Sequence, residues 1–105
     1  TDREPLDACE TILARARVDL DAGRSREAAL QLQVGVEALL VELRGALTDP
    51  GHEEDMALLK ERRGEIANAA NSALRGELDR PTEESVAELL AVAERVLRRR
   101  RILRG

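Results

Sequence analysis

The sequence predicts an all-α protein, and three features carry that expectation. Phe, Tyr and Trp are absent, β-branched residues are few, and Ala, Leu, Glu and Arg, all strong helix formers, dominate. The 105 residues suffice for one core and not for a second, so residues 1–105 form a single domain. A helical period recurs in four segments with short connections, which makes successive helices antiparallel neighbours. The expected architecture is an antiparallel up-down four-helix bundle.

The first helix is expected over residues 5–22. Pro5 suits a first turn, where its missing N–H would have had no partner. Leu6, Cys9, Ile12, Leu13, Ala16 and Leu20 share one face, and Gly23 supplies the stop.

The second helix is expected over 25–47, with Ser25 as N-cap and Glu27 in the first turn. Its main apolar face holds Ala29, Leu32, Val36, Leu39, Leu40 and Leu43, continuing to Ala46 and Leu47. Nearly opposite lie Leu30, Val34 and Val41, with Ala38 and Gly45 between and beyond them. A bundle corner needs one apolar face, so this second stripe predicts a self-association face and a homodimer or other protein partner.

"TDPG" (48–51) then breaks the chain, and a third helix is expected over 53–78, its acids suiting a helix N-terminus. Met56, Leu59, Ile66, Ala67, Ala70 and Leu74 surround Arg63 on its apolar stripe. After "LDRPT", Thr82 is the expected cap of a fourth helix over 82–103, with Glu83 and Glu84 behind it. Its stripe of Val86, Leu89, Leu90, Ala93, Val96 and Leu97 leads directly to Arg100.

Arg63 and Arg100 therefore stand where apolar residues belong. Counting across the turns brings Glu37 and Glu10 to their level. Either the arginines lay their stems on the core and expose their heads, or the four residues form a polar layer or anion site inside the bundle.

The chain closes with "RVLRRRRILRG" (95–105), six bases and no acid, after 94 residues of net charge −10. Arg98, Arg99, Arg101 and Arg104 are candidate phosphate contacts. Cations also suit a helix C-terminus, the acidic body repels a polyanion, and no aromatic residue can stack on a base. The reading of a solvated or internally paired helix end is preferred. Sixteen arginines to one lysine also fit a codon bias, and arginine richness carries no functional weight of its own.

Catalytic signals are sparse. His52 is the one histidine; Cys9, the one cysteine, falls at the centre of an apolar face and reads as a core residue. "HEED" (52–55) lacks the Glu-x-x-His spacing of bundle metal sites, so no metal or cofactor is expected. "GRSREAALQLQVGVEAL" (23–39) resembles the turn and second helix of a tetratricopeptide repeat, without the aromatic pattern that should precede it. "EESVAEL" (83–89) resembles the acidic helix of MazG-like pyrophosphatases, but departs in acid spacing and lacks the downstream acids. "AALQLQVGVEALL" followed by Arg44 and His52 resembles the HEPN ribonucleases, with a wider arginine-to-histidine spacing across a Pro-Gly turn.

No stretch is apolar enough to span a membrane, and the opening "TDREPLDACE" lacks the basic-then-apolar pattern of a secretory signal. A lone cysteine gives no internal disulfide, and a bacterial cytoplasm is the expected setting. The function expected is a self-associating or partner-binding module without catalytic activity. The alternative is a nucleic-acid-associated protein using the basic helix end, at its extreme a HEPN-like ribonuclease.

Overall fold

The computed structural model describes residues 7–104, with side chains through 103. All its regular structure is helical: α1 Ala8–Asp21, α2 Ser25–Glu42, α3 Pro50–Glu61, α4 Arg63–Arg75 and α5 Arg80–Arg104. Five helices stand where four were expected. The expected start of α1 at Pro5 and Leu6 lies outside the described residues.

The extra helix comes from a break at Arg62, whose φ of −100° and ψ of 16° leave the helical region. Gly64 follows two residues later, and glycine is costly in a helix interior. α3 and the break that follows it are both tied to α5. Asp55 of α3 meets Arg95 and Arg99 of α5, and Arg62 meets Glu88 farther back along the same helix. The break also rotates the apolar phase. α4 buries Ile66, Ala69, Ala70 and Ala73, while Leu74, expected in the core stripe, is 68% exposed.

Helix starts differ from expectation for one recurring reason. "DPG" and "DRP", expected to interrupt helices, open them. Asp49 accepts a hydrogen bond from the His52 N–H at 3.2 Å with Pro50 in the first turn, and Asp79 accepts one from the Thr82 N–H at 2.9 Å with Pro81 beside it. Such a cap satisfies an N–H that the helix itself leaves without a partner. Ser25 is not a cap; its hydroxyl donates to Glu83 on α5 at 2.7 Å.

α2 ends at Glu42 rather than at 47. Leu43 closes it, and Gly45 takes a φ of +68°, a conformation open chiefly to glycine. Gly45 therefore sits in the turn after α2 and leaves the expected self-association stripe. Ala46 and Leu47 leave the main apolar face for the same reason.

The core is a single cluster. Its α5 stripe, Val86 to Leu97, is buried as the sequence implied, as are Cys9, Leu13 and Ala16 of α1 and Leu32, Val36, Leu39 and Leu43 along α2 and its cap. α1 approaches α2 closely at Gly35, where an added Cβ would lie 2.6 Å from Leu13 Cδ2 and 3.3 Å from Ile12 Cγ2. Glu42 then reaches over the start of α1, accepting hydrogen bonds from the Ala8 and Cys9 N–H groups at 3.1 and 2.9 Å. Its negative charge there opposes the positive end of the helix dipole. No described helix is long and apolar enough to cross a membrane.

Candidate functional site: the groove between α1 and α5

α1 and α5 run antiparallel and are bridged at two levels by charged side chains. Arg17 donates from Nε and Nη2 to the two oxygens of Glu94, at 2.9 and 2.7 Å. Toward the other end, Arg100 donates to Asp7 and to Glu10. These pairs act as struts, and between the helices lies an open groove of about 1060 Å³.

Its floor is apolar. Leu13 and Leu97 are buried beneath it, Ala14 is exposed, and Val18 is 61% exposed. Arg15, Arg98 and Arg101 also line it, and none has a carboxylate within ion-pair distance among the described residues. Arg98 and Arg101 are exposed and Arg15 is exposed beside them. The acids along the groove are already engaged. Glu10 holds Arg100, Glu94 holds Arg17, and Asp19 holds Arg24 and the Gln31 amide. Gln31, at the α2 edge, keeps a buried Oε1 without a donor among the described residues.

The four arginines expected as phosphate contacts thus separate. Arg99 is taken up inside, donating to Asp55 at 2.9 Å and lying 3.5 Å from Asp49. Gly51 leaves it room, since an added Cβ there would stand 3.1 Å from Arg99 Nη2. Arg98 and Arg101 face the groove, and the Arg104 side chain lies outside the described residues. Arg95 joins Arg99 on Asp55 at 2.8 and 2.9 Å, and its hydrogen bonds lead the causes that hold the Asp55 carboxyl below its ordinary range. Much of the basic run is therefore a set of internal clamps.

The four residues considered for a polar layer form two separate sites. Arg63 meets Glu37 in a two-bond pair at 2.8 and 2.6 Å, but at the surface between α4 and α2. Arg100, only 9% exposed, is the buried member, and Glu10 is its partner together with Asp7. Burial works against the Arg100 charge, and the hydrogen bond to Asp7 leads the contacts that more than offset it. Sequence counting found Glu37 for Arg63 and brought Glu10 to the right end of the molecule; Asp7, one turn before Glu10, carried no signal.

Of the self-association stripe, Val34 and Val41 are exposed, at 55% and 67%, while Leu30 and Ala38 pack against the core cluster. His52 is 2% exposed, and neither ring nitrogen has a hydrogen-bond partner among the described residues. Cys9 is fully buried; desolvation first, then the Glu42 and Asp7 carboxylates, push its thiol up to about 12, so it stays protonated near neutrality. Asp7, Cys9 and Glu42 bring donor atoms within 4.8 Å of one another. Their donors are engaged: Glu42 caps α1, Asp7 holds Arg100, and the thiol keeps its proton.

A helical scaffold with an apolar, arginine-edged groove is the class this geometry defines. No protein family, curated protein or solved structure matches the chain.

Proposed function

We propose that the protein is a partner-binding module without catalytic activity, working through the α1–α5 groove on an up-down bundle whose third helix is broken. The observation that carries this reading is the groove's composition: an apolar floor beside three guanidinium groups with no ion-pair partner among the described residues. Inter-helix grooves in bundles are natural seats for a helical partner. His52 and Cys9, the residues best suited to chemistry, are both buried, which does not favour the HEPN-like alternative.

The test is selection from a random peptide display library, comparing the native protein with Val18→Lys and, as a control away from the groove, Leu74→Lys. Peptides enriched on the native protein should be lost with the first variant and retained with the second. Enrichment indifferent to Val18→Lys removes the groove from consideration.

A second reading, homodimerisation through α2, rests on the exposed Val34 and Val41. Sedimentation should then show a dimer that Val34→Glu converts to a folded monomer. A nucleic-acid role would use Arg98 and Arg101 on phosphates, and binding to generic RNA or DNA would fall steeply with salt.

A further inference from the structure

We infer that the occupant of the α1–α5 groove is an acidic amphipathic helix of about two and a half turns, a deduction that rests on the groove being the binding surface. The lining sets the length. α1 contributes residues 10–19 and α5 residues 94–101. At a rise of about 1.5 Å per residue, that is a trough of roughly 13 Å, which matches about nine residues of a docked helix.

The chemistry is set by the charges the groove leaves unsatisfied. Its own acids are committed to Arg17, Arg24 and Arg100, so Arg15, Arg98 and Arg101 present net positive charge beside the apolar floor. The chain as a whole carries −4, so a positive face stands against its net charge. A cationic or neutral helix would find repulsion or no gain here, whereas carboxylates flanking an apolar stripe meet guanidinium groups on both walls.

Other occupants fit less of the observation. A nucleic-acid backbone uses the arginines but leaves the exposed Val18 and Ala14 without a partner, and no aromatic residue offers a base a stacking surface. A small anion uses neither the length nor the floor. A second copy meeting this face about a twofold axis would bring like charges together.

The experiment uses fluorescence anisotropy with two synthetic helical peptides of about four turns, identical in their leucine stripe, one flanked by Glu and its twin by Lys. A third peptide has the acidic composition in scrambled order. The acidic helix should bind at least about tenfold tighter than both others, a difference of roughly 1.4 kcal/mol. Charge reversal by Arg98→Glu with Arg101→Glu should invert the preference between the twins, and Val18→Asp should abolish binding of both, with circular dichroism at 222 nm unchanged throughout. Equal binding of the twins, or no response to charge reversal, overturns the acidic occupant and leaves the groove reading standing. Binding by neither twin at any soluble concentration overturns both. Stronger displacement of the acidic helix by generic RNA than by the scrambled peptide transfers the groove to the nucleic-acid reading.

Discussion

α1 has two neighbours and meets them in opposite ways. Against α2 it is held at a distance so short that only glycine fits at position 35, with Leu13 directly on the backbone. Against α5 it is bridged by Arg17–Glu94 and by the pairs of Arg100. A small residue lets α1 and α2 close on one another, whereas paired long side chains tie α1 to α5 along the rim of the groove. The rim is thus a consequence of which residues bridge the seam.

The sharpest way to break this comparison is to add volume to the tight seam. Gly35→Val should cost about 3 kcal/mol, because Leu13 is fully packed and cannot yield. The mirror experiment, Ala14→Val in the open seam, should stay within about 0.5 kcal/mol. Thermal unfolding followed at 222 nm compares the two, and equal losses would show that the seams do not differ as described.

Removing a strut should have the next largest effect. Arg100→Ala leaves Glu10 and Asp7 without their cation at a poorly solvated position, an expected loss of about 2 kcal/mol. Arg17→Ala removes a pair whose side chains are 36% and 29% exposed, and about 0.5 kcal/mol is expected. If the Arg17 variant proves the costlier, the buried end is not the principal strut.

Acid should spare the α1–α2 contact at Gly35, which has no ionisable group, and act on the clamps around α3 and α4. Hydrogen bonds from Arg62, then Ser85, pull Glu65 from 4.5 to about 2, and Arg95 and Arg99 depress Asp55. A depressed folded-state pKa gives stability that is complete above the unfolded value and is lost as pH falls through the folded one. The loss should therefore run from about 4.5 down to about 2 for Glu65, and Glu65→Gln should flatten the denaturation midpoint across that window.

The smallest effect is expected at the tail. Arg98→Gln with Arg101→Gln should leave stability within about 0.5 kcal/mol, whereas the same exchange at Arg99 and Arg100 should destabilise. Equal behaviour of the two pairs would remove the distinction between groove and clamp.

The α5 stripe is legible in the sequence because seven positions from Val86 to Arg100 keep one helical phase, and all are buried. The α4 phase is not, since a break at Arg62 rotates the helix beyond it and local periodicity cannot see a backbone angle. "DPG" misleads because proline near an aspartate both ends one helix and opens the next. Arg63 with Glu37 can be counted equally either way from Pro50, at the connection between α2 and α3. The groove cannot, because it depends on Arg17 finding Glu94, 77 residues away, and Arg100 finding Asp7 at a distance of 93.

Cys9 sits beneath Glu42 and beside Asp7, at the end of α1 where the strongest strut attaches. A lone thiol kept protonated and out of reach is a native clock: alkylation requires that the first turn of α1 lift away, so its rate reads the frequency of that excursion. In a chain with no tryptophan or tyrosine to fluoresce, this one sulfur lets the coming and going of a single helix be timed without any added label.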